Sequence, residues 1–543
     1  MQKRHAVTIL LALLLGAHTG SGVALAEPCN GNAANGDTAE LSVDSNCTVQ
    51  DGNIPTTVTF QPDSTGTLTL NGAVPTEATL GEGNVVVAAD ATSASTFGSA
   101  DDPLASFTVN DGVTFELGHN LTASNITVGS SKVANLYQTG GTLTTNTMTI
   151  GGGCVLYQSG SGIINATNVN IGEVGTLTLV NQGTGAINSS PNEHGNLTFK
   201  GNYNTDAAIG DLDRLNSIIV YEGVTLTLDQ NISSYGLYTG GGGIVNQSAG
   251  TLTAKVVNLY SGDAGGATFT QSGSGVIHAF LGTNLYPFCT LTLVNQGSGP
   301  ISGTAADQES YLPTLIFAGD YTANAIIGGN SRMGNVTVND DVTLTVNNTL
   351  RTKNLNVGKL TGATVNINDG NLFIENLFIT NGSNFNTLGR GSVHPDASVV
   401  NIVKGGTMNI TDGLSGFFDT TVGGTLNLGG VTTYIHKLTV NDGATLGTII
   451  NTDTDNDCGS IKDEQGDTGD TATISAASTI NITVTPDTLT VGRTYNIVSL
   501  DGGITAVPTT ITDNSADYDF TASFTATTLT LTVVKGGSTI TND

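Results

Sequence analysis

Tryptophan is absent from this chain of 543 residues, and Phe and Tyr bring the aromatic share to only 5 %. A carbohydrate site built on indole stacking is therefore excluded, which leaves isolated tyrosines as the material for such a contact. Charge is scarce as well. Asp, Glu, Lys and Arg make up 11 %, against roughly 25 % in an ordinary domain. What charge there is has mostly one sign, with 16 basic residues facing 45 acidic ones and a formal net charge of −29. A chain so poor in Lys and Arg cannot neutralise a run of phosphates, so nucleic acid is excluded as a partner and anionic lipid is disfavoured. No apolar run approaches the ~20 residues of a membrane-spanning helix, and capped amphipathic helical patterns are missing. The five cysteines, at 29, 47, 154, 289 and 458, are too few and too scattered for a dense disulfide framework.

The first residues carry an export pattern. Lys3 and Arg4 precede the apolar run Ile9 to Leu15, and Ala24-Leu25-Ala26 is a small-x-small cleavage site, so residues 1–26 are expected to be a signal peptide. Export permits disulfides, and Cys29 with Cys47 is the candidate bridge, closing an N-terminal cap over residues 27–49. Cys154, Cys289 and Cys458 are expected to serve as small buried apolar residues.

Valine, isoleucine, leucine and threonine, punctuated by 72 glycines, suit short strands joined by tight turns. They also repeat. TLTLVNQGTG from Thr176 is echoed by TLTLVNQGSG from Thr290, and LTFKGNYNTDAAIG from Leu197 by LIFAGDYTANAIIG from Leu315. Residues 105–216 and 217–334 thus read as a duplicated block, with a diverged third copy from 335. Within each block glutamines mark a shorter period: 138, 158 and 182, then 247, 271 and 296. Steps of 20 to 25 residues are single coils of a solenoid whose strands stack about 4.8 Å apart. The fold class expected is all-β: a right-handed parallel β-helix over residues 50–470, about 20 coils, closed by a C-terminal β cap at 471–543. Period-two runs such as Thr176 to Val180 place one face in the core and the other in water. The glycines after each Gln supply positive φ for the corner, and stacked Gln and Asn at equivalent corners are expected to form amide ladders.

The last ~70 residues change to longer strands, with Gly492, Tyr495, Ile497, Val498, Gly502 and Gly503 followed by Leu529, Leu531 and Val533. This pattern resembles the close of autotransporter passenger domains. The resemblance implies a solenoid surface antigen or adhesin at the surface, or in the surroundings, of a Gram-negative bacterium. No β-barrel pattern follows within the sequence.

Catalytic chemistry finds little support. The carboxylate pairs Asp101-Asp102 and Asp340-Asp341 read as turn formers, and the histidines show no metal-binding spacing. The chain is therefore expected not to be an enzyme, with a polysaccharide-active β-helix enzyme as the third reading. One constellation has ligand spacing: Asp453, Asp455 and Asp457 with Glu464 at the twelfth position match the oxygen donors of a calcium loop. The functional expectation is adhesion or surface coating through the extended face. Its partners would be a host or neighbouring cell surface, matrix or glycan, and the alternative is a self-assembling surface-layer or filament subunit.

Overall fold

The structure, a computed structural model, describes residues 27–28, 38–41, 46–50, 57–60, 65–72, 74–75, 77–79, 82–304, 311–329, 331–388, 393–411, 417–463, 469–505, 508 and 510–536. The signal segment 1–26, Cys29 and Glu464 lie outside them. Among the described residues there is no α-helix, and parallel sheets stack as a β-solenoid of about 17 turns. That is fewer turns than the glutamine period alone implies, because some coils carry long excursions. Lys437 in Thr432–Val440 pairs next with Thr471, 34 residues on, and the intervening chain includes the added strand Ser460–Lys462.

A coil consists of one short strand and one longer, bent strand. In Thr343–Val346 the side chains alternate between half-exposed and buried, so Leu344 and Val346 point inward. Leu350–Val357 begins with the same alternation. Lys353 and Asn354 then both face outward, and the buried set resumes at Leu355 and Val357. Two successive outward residues change the inward parity and turn the strand through a corner. The same pattern recurs in Leu121–Val128 and Leu372–Ile379. Solenoid strands pair in parallel with their counterparts one coil later, as in Leu344↔Val365↔Phe385↔Met408↔Leu426↔Leu446. Every inward apolar side chain thereby sits on another, and removal of apolar surface from water drives the stacking.

The chain divides into two compact units, residues 1–216 and 217–543. In the first, Phe97, Phe107 and Phe115 are fully buried and meet edge-on or tilted at 5.4 to 6.3 Å. Cys154 is buried here, as Cys289 and Cys458 are in the second unit, all three as free thiols. Burial pushes the Cys289 thiol up to about 11 and that of Cys458 to about 12. Cys47 is buried and disulfide-bonded.

The corner glutamines behave differently from the expectation. Gln138 lies opposite Gln158, and Gln247 opposite Gln271, yet their amides bond to main chain instead of to each other. Gln138 Nε2 donates to the carbonyls of Gly141 and Ile163, and Gln247 Nε2 to those of Gly250 and Val276. Gln158 Oε1 accepts from the amides of Val180 and Asn181, and Gln271 Oε1 from those of Val294 and Asn295. The physical reason is local demand: a turning backbone leaves amide groups off the strand ladder, and a buried Gln satisfies them. Gly141, Gly160, Gly250 and Gly273 do take positive φ at these corners. Amide ladders form on outward positions of the strands: Asn335–Asn354–Asn376, and Asn366–Asn386–Asn409–Asn427, with N···O distances of 2.6 to 2.9 Å. The duplicated sequences thus carry duplicated bonds. Replacing Gln271 by Leu should destabilise the protein by about 1–3 kcal/mol, by stranding two amides. Gln296→Ala, which removes exposed bonds, should cost less than about 1 kcal/mol. Thermal and urea unfolding of the two variants measure the contrast.

Candidate binding surface

The acidic loop with calcium-like spacing follows the strand Thr445–Ile450. Asp453 accepts hydrogen bonds from the Thr490 amide at 2.8 Å and the Thr490 hydroxyl at 2.6 Å, and its Oδ1 lies 3.3 Å from Arg493 Nε. Asp455 accepts from the Thr494 amide at 3.1 Å and stands 3.6 Å from Arg493 Nη1. Asp457 turns back to Asn451 and Thr452. The Thr490 hydroxyl and amide, with the Arg493 guanidinium, hold the Asp453 carboxyl down to about 2. Among the described residues no three His, Cys, Asp or Glu side chains converge as a metal site would need. A calcium ion bound by Asp453 and Asp455 would have to displace Arg493.

These carboxylates fasten the C-terminal closure. Thr494–Ser499 pairs antiparallel with Thr528–Lys535, which pairs antiparallel with Tyr518–Phe524. Tyr495, Ile497, Val498, Leu529, Leu531 and Val533 are buried there. The Tyr495 hydroxyl donates to the carbonyl of Thr452 at 3.0 Å, and burial raises its pKa to about 12. Parallel stacking persists up to this hairpin, through Thr479–Val484 against Thr510–Asp513. An antiparallel pair across the end of a parallel stack occupies hydrogen-bonding groups that would otherwise recruit another chain.

The outward face of the second unit gathers the tyrosines that read as isolated in the sequence. Tyr238 and Tyr260 are nearly parallel, with centroids 6.4 Å apart and planes at 14°, and Tyr260 meets Tyr286 at 4.5 Å. All three are half-exposed. Burial, with the phenol of Tyr286 beside it, raises the pKa of Tyr260. An amide row runs alongside: Asn284 Nδ2 donates to Asn258 Oδ1 at 2.8 Å, and Asn258 Nδ2 to the Tyr260 hydroxyl at 3.3 Å. The tyrosines follow one another at the coil period, 22 and 26 residues apart, and that spacing was the available signal.

A second feature adjoins this row along the chain. In Val276–Leu285 the register against Thr251–Leu259 slips between Ala254↔Ala279 and Val256↔Gly282, so two residues oppose Lys255 alone. The extra residue makes a bulge that turns Phe280 and Leu281 outward, 62 % and 64 % exposed. Bulges re-aim side chains in this way, and large apolar groups left in water mark contact surfaces when they cluster. In the first unit Tyr137 and Tyr157 form a smaller pair at 6.3 Å, with Lys200 Nζ 5.1 Å from the Tyr157 ring centroid.

The Asp453 anchor predicts a pH dependence. Its folded pKa, about 2, lies below the ordinary 3.8, so its contribution is complete above the ordinary value and is lost as pH falls through the folded one. Hydrogen exchange of residues 518–535 should accelerate as pH is lowered across that window, beyond the intrinsic pH effect. Asp453→Asn should show the faster exchange already at neutral pH, and equal protection in variant and parent would contradict the anchoring role. No protein-family model matches the chain, and no curated protein matches its sequence.

Proposed function

We propose that this chain is an exported attachment protein that works without catalysis, holding carbohydrate-bearing surfaces through an outward strip of its β-solenoid. The observation that carries the reading is the row of Tyr238, Tyr260 and Tyr286 flanked by the amides of Asn258 and Asn284. A half-exposed phenol ring offers an apolar face to the C–H side of a sugar, and neighbouring amides offer donors and acceptors to its hydroxyls. Such contacts are individually weak and gain from repetition along a strand or across several copies. Export is supported by the charge and apolar pattern of residues 1–26. The passenger-like reading is supported by the antiparallel closure around Tyr495 and Leu531 and by the solenoid itself. In that reading the anchor belongs to a barrel or to a separate partner.

Self-assembly into a coat or filament is the second reading, favoured by the exposed pair Phe280 and Leu281. The two separate by experiment. On the attachment reading, Tyr260→Ala should weaken adhesion to glycan-coated surfaces roughly five- to tenfold and leave the sedimentation coefficient unchanged. A double change of Phe280 and Leu281 to Ser that abolishes assembly, with Tyr260→Ala without effect on adhesion, would favour the coat.

A further inference from the structure

A surface cavity of about 390 Å³ lies within the second unit and is lined by Gly328, Arg332, Arg351, Thr352, Phe373 and Glu375, among others. Its charge runs against the rest of the chain. Ile327 pairs with Leu350 and Met333 with Thr352, so the chain from Gly328 to Arg332 loops beside Arg351, and both arginines line the cavity. Arg351 in turn pairs in register with Phe373, and its guanidinium lies 4.8 Å from that ring centroid. Lys353 follows two residues on and is half-exposed. Two arginines thus line one cavity in a protein with only 16 basic residues.

Like charges lining one cavity repel. Glu375 bonds Arg332 through Nη1. Among the described residues Arg351 meets no carboxylate. Its contact is the Phe373 ring, and it is exposed. Stacking on an aromatic orients a guanidinium and leaves its edge donors available, in the fork geometry that suits carboxylate, sulfate and phosphate oxygens. A purely structural role would need neither the second arginine nor the cavity beside it. The acidic remainder of the protein disfavours anions in general, so an anion drawn here is drawn by this local field and geometry.

We propose that this cavity binds the anionic group, carboxylate or sulfate, of an acidic polysaccharide, with Arg351 as the principal contact and Arg332, held by Glu375, as the second. The site is separate from the tyrosine strip and stands whether or not that strip binds. The test uses the full mature chain and three immobilised polymers: polygalacturonate for carboxylate, dextran sulfate for sulfate, and unmodified dextran. Binding to one charged polymer is expected, falling as salt is raised, and the preferred polymer assigns the group. Arg351→Ala should weaken it at least about tenfold, Arg351→Lys should restore only part, and Lys437→Ala, an exposed cation elsewhere on the solenoid, should leave it unchanged. Circular dichroism and the melting temperature check that the variants are folded. Equal binding by the Arg351→Ala variant and the parent overturns the proposal. So does binding of dextran as tight as that of the charged polymers, salt-independent binding, or failure of the parent to bind either polyanion.

Discussion

Everything in this molecule depends on register between coils. A strand that stacks in parallel on its predecessor must place its inward residues over inward residues, because a slip of one position would send the whole apolar set into water. Leu344, Val365, Phe385, Met408, Leu426 and Leu446 show the result, one continuous column built from six coils. Wherever the chain must turn, the constraint passes to the backbone. The buried glutamines at 138, 158, 247 and 271 satisfy main-chain groups that leave the ladder there. Gly201 and Gly319 show how close the coils come: a Cβ on either would stand 1.8 or 2.1 Å from the carbonyl oxygen of Val180 or Val294.

Inward constraint frees the outward face. Threonine and asparagine recur along it, and the asparagine amides bond from coil to coil without altering the core. Against that uniform surface the exceptions gain meaning. The tyrosine row, the bulge at Phe280 and Leu281, and the arginines at 332 and 351 that line one cavity each stand on the outward face.

The fold was legible because its period is written in the spacing of the corner glutamines, with glycines after them, and in strands such as Thr290 to Leu293. The glutamine hydrogen bonds were misassigned as a ladder, since sequence shows that two amides are adjacent but not which unmet backbone group lies nearer. The tyrosine strip was half-legible: 238, 260 and 286 are spaced as coils, but whether they face outward depends on where each strand bends. Arg332 and Arg351 were opaque, since their shared cavity depends on a loop before Met333 that leaves no period in the sequence. The aspartates at 453, 455 and 457 looked self-contained. Two of them meet Arg493, about 40 residues on, a partner that local spacing cannot disclose.

The most direct test of this account is the attachment of a chain lacking one coil, residues 244–267. Ile244 and Thr268 are register partners, so this deletion rejoins the solenoid in phase while removing Asn258 and Tyr260. Surface plasmon resonance on a glycan-coated chip should then find a folded protein whose attachment is weakened about tenfold. A folded variant that attaches as well as the parent, or a deletion that cannot fold, would contradict the account.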